Sequence, residues 1–185
     1  MKIVILAVAA AVLGIAGCGN ITKEGQPSPD AKCAAPASGK PAPSPSNSLS
    51  GPVGTRYEVP GLTGQMSIIL RRVIDPAHGA DQFTTPASGC RFVGAVFTIT
   101  GISGTLSVDA NHQATLIGSN GQTYTADSHS IAGHTNLSNG EYTVRAGEKS
   151  KGAVTFQVPL TVKVAKIEWS ANRLVGGPVE WLMGP

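Results

Sequence analysis

The stretch Cys90-Arg91-Phe92-Val93-Gly94-Ala95-Val96-Phe97-Thr98-Ile99-Thr100 decides the fold class of this chain. Alternate residues from Val93 to Ile99 are apolar, which is the two-residue period of a β-strand with one face in a core. Phe92 and Val96 fall on the opposite face. The pattern therefore predicts a central strand that is covered on both sides.

Short apolar runs separated by turn residues continue from about residue 53 to the end of the chain, a pattern typical of sandwiches and barrels. Ser119-Asn120-Gly121 lies between two such runs and is a strong hairpin signal, because Asn and Gly both tolerate positive φ. We find no convincing amphipathic helix, so the predicted fold is an all-β sandwich. Further strands are expected over Gly64–Ile74, Ala114–Gly118, Gln122–Thr125, Tyr142–Arg145, Gly152–Val158, Lys163–Trp169 and Val179–Met183.

The predicted strand Gly64–Ile74 has two features of its own. The adjacent apolar pairs Ile68-Ile69 and Val73-Ile74 break the alternation, so a β-bulge is expected. Arg71-Arg72 would place one guanidinium on each face of the strand. We expect one arginine to be solvated and the other to pair with a carboxylate at a sheet edge, with ligand binding as the alternative.

Residues 1–17 have the composition of a bacterial lipoprotein signal peptide. Lys2 is followed by the uncharged apolar run Ile3–Ile15 and then by Ala16-Gly17-Cys18. The run is too short to span a bilayer, and small residues mark a cleavage site. We expect lipidation of Cys18 and removal of the signal. The acyl chains would then anchor the protein to the extracytoplasmic face of the cell membrane.

Residues 18–54 are predicted to form the lipidated N-terminus and a disordered, flexible Pro/Ser/Ala linker. The segment 34–46 has almost no side chains to bury, and such compositions stay extended and solvated. The sandwich domain is assigned to residues 55–185.

Two cysteines are left once Cys18 is lipidated. Cys33 lies in the predicted linker and Cys90 begins the strand quoted above. In an oxidising compartment such a pair favours a disulfide, which would tie the linker to the domain. The alternative is two free thiols, one in a disordered tail and one buried.

His112, His129 and His134 are weak candidates for a metal site, since His129 and His134 fall in one predicted loop. Zinc sites usually show tighter spacing and Cys or carboxylate partners, so exposed loop histidines are the other interpretation. We predict no cofactor. The sequence also contains no nucleophile elbow, since Gly101-Ile102-Ser103-Gly104 has one residue too few after its serine. No other catalytic motif is found, and we do not expect an enzyme.

The formal net charge of +3 is too small to indicate a basic surface for binding nucleic acid. No nucleic-acid partner is therefore predicted.

Four segments of the domain carry a family resemblance: Phe97-Thr98-Ile99-Thr100, the Gly121-x-x-Tyr124 hairpin, Ala146-Gly147-Glu148, and the run from Gly152 to Pro159. Together they resemble the immunoprotective-extracellular, immunoglobulin-like superfamily of actinobacterial secreted proteins and lipoproteins, over about Val53 to Pro185. The resemblance implies an immunoglobulin-like two-sheet β-sandwich, on the cell surface or secreted. It implies no catalytic residues, and the function of the family's domain is unknown.

We therefore expect a cell-envelope lipoprotein that presents an immunoglobulin-like domain to an unknown envelope or extracellular protein partner, without catalysis. The alternative is a carrier or sensor of a small ligand or a metal that uses the sandwich loops.

Overall fold

The computed structural model describes residues 48–170 and 177–184. The signal peptide, Cys18, Cys33 and nearly all of the predicted linker lie outside the described residues, and the predictions about them stay predictions.

The described residues form ten strands and one helical turn. All eight strands expected from the sequence are present, and two further short strands precede them. The elements are β1 Leu49–Pro52, β2 Arg56–Pro60, β3 Gly64–Ala77, β4 Cys90–Val108, α1 Ala110–Gln113, β5 Ala114–Gly118, β6 Thr123–Asp127, β7 Tyr142–Arg145, β8 Lys149–Pro159, β9 Val164–Trp169 and β10 Val179–Leu182.

The strands form an immunoglobulin-like two-sheet sandwich, which confirms the predicted fold class. One sheet has the order β1-β10-β9-β5-β6, and the other has the order β2-β3-β4-β8, with β7 paired to the end of β4. The last residues of β6 also pair with β8, as Ala126 does with Phe156. Among the described strands the sheets are thus continuous at that side, and their two free edges are β1 and β2.

Strand β1 pairs in parallel with β10, with Leu49 opposite Val179. The sandwich therefore includes residues that the sequence analysis assigns to the linker. Only Val53-Gly54-Thr55 separates β1 from β2. The hydroxyl of Tyr57 donates to the Glu180 carbonyl at 3.1 Å, and Trp181 Nε1 donates to the Thr55 carbonyl at 2.8 Å. These bonds join the two sheets at the corner where both free edges meet.

The main core lies between the sheets and is built around aromatic rings. Phe97 contacts Trp169 and Trp181 edge-on, with ring centroids 5.1 and 5.7 Å apart. All three side chains are fully buried, as is Phe156. Alternate residues of β4 and β8 fill the space between them, which is the result that the two-residue period predicts.

A second, smaller core covers the outer face of the β3–β4–β8 sheet. It consists of Ala77, Phe92, Ile131 and Ala153, and Val96 packs against it. Ile131 belongs to the segment 128–138, which we call the covering loop. The prediction that the central strand is covered on both sides is thereby confirmed.

Two glycines allow the covering loop to approach the sheet closely. A Cβ atom on Gly94 would lie 2.3 Å from Ile131 Cδ1, and one on Gly152 would lie 2.3 Å from the Thr135 carbonyl oxygen. The amide of Ala153 donates to that carbonyl at 2.8 Å, and the amide of Leu137 donates to the Ala153 carbonyl at 2.9 Å. The loop is therefore hydrogen-bonded to β8 as well as packed against the sheet.

Candidate functional site

A bulge in β3 decides where its two arginines point. Leu70 pairs with Phe97 and Arg72 pairs with Val96, so Arg71 is an extra residue without a partner in the ladder. The prediction of a bulge in this strand is confirmed. The prediction that Arg71 and Arg72 lie on opposite faces is wrong, because the bulge turns both side chains to the outer face of the sheet.

Each arginine makes a hydrogen bond on that outer face. Arg71 Nε donates to Thr98 Oγ1 at 3.2 Å, and Arg72 Nη2 lies 3.2 Å from His134 Nε2. A guanidinium has no acceptor, so Arg72 can only be the donor in this contact. Neither arginine pairs with a carboxylate of the described residues. The expected ion pair at a sheet edge is therefore absent there.

A cleft of about 430 Å³ lies between this face of the sheet and the covering loop. Arg71, Thr98 and Lys151 line it from three neighbouring strands, and Gly133-His134-Thr135 line it from the loop. Small-molecule sites commonly have volumes of about 300–1,000 Å³. The cleft is thus large enough for a small ligand or for one group of a larger one.

The charge around the cleft is positive and uncompensated. Arg71 and Lys151 line it, and Arg72 and Lys149 lie on the same face of the sheet beside it. None of these four cations makes an ion pair with another described residue, and none of the described lining residues is acidic. Such a set of donors can bind an anion.

The carboxylate nearest in sequence to the two arginines, that of Asp75, is occupied elsewhere. Asp75 forms a two-pronged ion pair with Arg91, at 2.5 and 2.8 Å. The same guanidinium donates to the carbonyls of Pro159 and Val162, at 2.6 and 2.8 Å. Arg91 therefore holds the turn after β8 against β3 and β4, and its contacts are those of a structural residue.

Asp127 anchors the start of the covering loop. It accepts hydrogen bonds from Gln157 Nε2 at 2.6 Å and from the His129 amide at 2.8 Å, and the His129 ring also contacts it. Burial of the carboxyl opposes ionisation, but these hydrogen bonds outweigh it and hold the pKa of Asp127 below its usual range.

The three candidate metal-ligating histidines have different neighbours. His112 is exposed, and its Nδ1 lies 2.7 Å from Asp109 Oδ2 at the helical turn. His129 contacts Asp127 and packs 5.4 Å from the ring of Phe92, whereas His134 faces Arg72. No three His, Cys, Asp or Glu side chains come together as metal ligands in the part of the chain that the structure describes. Of the three, only His134 lines the cleft.

Cys90 is disulfide-bonded and lies buried at the start of β4. The other two cysteines of the chain are outside the described residues, and pairing with Cys33 stays a prediction. Within residues 48–170 and 177–184, no helix has the length and apolar character needed to cross a bilayer.

Sequence reasoning named Arg71 and Arg72 as possible ligand-binding residues but missed Thr98 and Lys151. The available signal was Lys149-Ser150-Lys151, which places two cations on one face of β8. These two lysines can be placed near Arg71 only when β4 is known to lie between β3 and β8.

The fold and the cleft together define a two-sheet β-sandwich with an open, positively charged cleft on its outer face. Among solved structures, the chain is similar to the secreted protein MPT63 of Mycobacterium tuberculosis, with a TM-score of 0.53 and 15% identity over 75% of this chain and 100% of that one. It is also similar to the candidate lipoprotein ycdA of Bacillus subtilis, with a TM-score of 0.46 and 10% identity over 70% of this chain and 38% of that one. A third similar structure is an uncharacterized β-sandwich protein of Clostridium difficile, with a TM-score of 0.45 and 9% identity over 74% of this chain and 95% of that one.

No family model matches the chain, and no curated protein matches it significantly. The likeness to MPT63 shows the sandwich fold alone. The resemblance found in the sequence is thus supported as far as a β-sandwich shared with a secreted protein.

Proposed function

We propose that the protein is a lipid-anchored protein of the cell envelope whose sandwich binds an envelope or extracellular partner through the cleft, without catalysis. The observation that carries the proposal is the cleft, where Arg71 and Lys151 offer positive charge that no described carboxylate neutralises. The lipoprotein signal ending at Cys18 and the Pro/Ser/Ala segment after it support the location.

The lining groups favour recognition over chemistry. Guanidinium, ammonium and hydroxyl groups donate hydrogen bonds, and the lining residues that the structure describes include no carboxylate that could act as a general base. His134 is occupied by Arg72 through its Nε2 atom. A site of this kind can position an anionic group, which supports a binding role.

The location is tested by metabolic labelling with an alkynyl fatty acid in the native host. We expect the full-length protein to be labelled and to sediment with membranes, whereas the Cys18→Ser variant should be unlabelled. An unlabelled wild-type protein in the cytosolic fraction would contradict the proposal.

The binding role is tested by photo-crosslinking in intact cells. Lys151 and Lys163 are replaced in turn by a photoreactive lysine analogue. Lys163 is the matched control, because it is exposed and makes no ion pair with a described residue but does not line the cleft. We expect a discrete crosslinked product from position 151 and none from position 163. No product, or the same product from both positions, counts against binding at the cleft.

One observation favours a second candidate, a carrier of a small ligand. The cleft has the volume of a small-molecule site, and one of its walls is a loop. Native mass spectrometry of the protein purified from its host distinguishes the two. A carrier shows an added mass that is lost on unfolding, whereas a protein that binds a macromolecular partner shows the mass of the chain alone.

A further inference from the structure

We propose that the cleft binds a phosphate monoester group. This inference deepens the proposed binding function and rests on it. Its basis is the convergence of Arg71, Lys151 and the Thr98 hydroxyl at one place on the outer face of the sheet.

The arrangement follows from three neighbouring strands. Thr98 of β4 lies directly opposite Lys151 of β8, and Arg71 lies at the bulge of β3 on the other side of Thr98. Adjacent strands are about 4.8 Å apart, so the backbones that carry the two cations are separated by about 10 Å. Both side chains are long enough to reach a group seated above Thr98 from opposite sides.

The Arg71 guanidinium is already oriented at this place. The bond from Arg71 Nε to Thr98 Oγ1 fixes the plane of the guanidinium and leaves both Nη groups available for a ligand. Thr98 accepts that bond, so its own hydroxyl proton can be donated. Thr98 lines the cleft and is only 6% exposed, so it forms part of the cleft floor.

The charge favours phosphate over carboxylate. A phosphate monoester carries a charge of about −1.5 to −2 at neutral pH and presents three acceptor oxygens. Arg71 and Lys151 together supply two positive charges, and their donors with the Thr98 hydroxyl match three oxygens. A single carboxylate would neutralise only half of that charge, and it offers two oxygens.

Arg72 has a different task in this arrangement. Its bond to His134 links β3 to the covering loop, so it holds one wall of the cleft while adding positive charge beside it. Bidentate contacts of a guanidinium to phosphate depend on fixed geometry, and a held wall preserves that geometry.

The test is isothermal titration calorimetry on the full-length protein in detergent, with glycerol phosphate, inorganic phosphate and acetate as probes. We expect saturable binding of glycerol phosphate, and acetate should bind at least about ten-fold more weakly. Arg71→Gln and Lys151→Gln should each weaken glycerol phosphate about ten-fold, the effect of losing one charge-assisted hydrogen bond. Lys163→Gln should leave the affinity unchanged.

Several results would overturn the inference: no saturable binding of glycerol phosphate, equal binding of acetate, or equal losses in all three variants. Circular dichroism of each variant confirms that it folds before it is titrated. Tighter binding of glycerol phosphate than of inorganic phosphate supports a phosphate on a larger molecule, and the reverse order supports a free phosphate ion.

The crosslinking experiment separates this inference from the function on which it rests. If the photoreactive residue at position 151 still gives a crosslinked product in cells while phosphate esters do not bind in calorimetry, the phosphate assignment is wrong and the binding function is still supported. If both experiments fail, both are wrong.

Discussion

The two tryptophans of the chain allow a matched test of how the core is stabilised. Trp169 and Trp181 are both fully buried and both contact Phe97. They differ in their indole N–H groups: Trp181 donates to the Thr55 carbonyl at 2.8 Å, whereas Trp169 Nε1 is buried without a hydrogen-bond partner among the described residues. Replacing each by Phe removes the same atoms from two different polar environments.

The magnitude follows from that difference. The loss of ring volume is the same in both variants, so the cavity contribution largely cancels. Trp181→Phe loses a hydrogen bond with a net value of about 1 kcal/mol. Trp169→Phe removes a buried, unsatisfied donor, whose burial costs about 1–3 kcal/mol. We therefore expect Trp181→Phe to lower the free energy of unfolding by about 2–4 kcal/mol more than Trp169→Phe does.

The assay is urea unfolding of both variants and of the parent protein. Because the chain has two tryptophans, each variant retains one as its own fluorescence reporter. Circular dichroism provides a probe common to all three proteins, and equal m-values show that the same surface is exposed on unfolding. Equal losses in the two variants, or a larger loss for Trp169→Phe, would refute the reasoning.

Three further predictions concern single residues. Because the pKa of Asp127 is lowered in the folded protein, its contribution to stability is complete above about pH 4, the ordinary carboxyl range. That contribution is lost as the pH falls through the pKa of Asp127 itself. Asp127→Asn should therefore reduce the loss of stability at acid pH in a stability–pH profile. Burial raises the pKa of Tyr142 to about 12. Tyr142→Phe should therefore remove the tyrosinate absorbance that appears near pH 12. It should also reduce the loss of stability between about pH 10 and 12, where tyrosine ionises in the unfolded chain but not in the folded one. Gly94→Ala should force Ile131 away from the sheet, which urea unfolding would show as a loss of about 1–3 kcal/mol. An unchanged acid limb, an unchanged alkaline titration or an unchanged urea midpoint would contradict the respective prediction.

The sandwich could be predicted because its strands carry their own signals. The alternation of apolar residues around Phe97 can be recognised from the sequence because one face of the strand is buried. The Asn-Gly turn ahead of β6 can be recognised because it depends only on local backbone preferences. Both signals are confirmed, since Ile117 of β5 pairs with Thr123 of β6 across that turn. Strand β1 carries no such signal. Leu49–Pro52 alternates poorly, and its place is fixed by pairing with β10, which is distant in sequence.

The cleft could not be predicted for the same reason, since its residues come from different strands. The expectation that Arg71 and Arg72 lie on opposite faces of β3 assumes strict alternation of side chains along the strand. The one extra residue at the bulge breaks that alternation, so both side chains lie on the same face. The adjacent apolar pairs predicted a bulge in this strand, but they did not give its position. Lys151 becomes a neighbour of Arg71 only through β4, and strand order is not encoded by a local period.

The covering loop connects the stability of this molecule to its proposed function. It forms a wall of the cleft, yet it contributes to the main core only through Leu137. Its other attachments are the small core around Ile131, the backbone hydrogen bonds to β8 and to residues 78–80, and the contacts of His129 with Asp127 and of His134 with Arg72. Segments held by few buried side chains open at lower free energy than the domain unfolds. We therefore expect the covering loop to open at a lower free energy than the sheets unfold, and such opening would remove one wall of the cleft while Arg71 and Lys151 stay in place on the sheet.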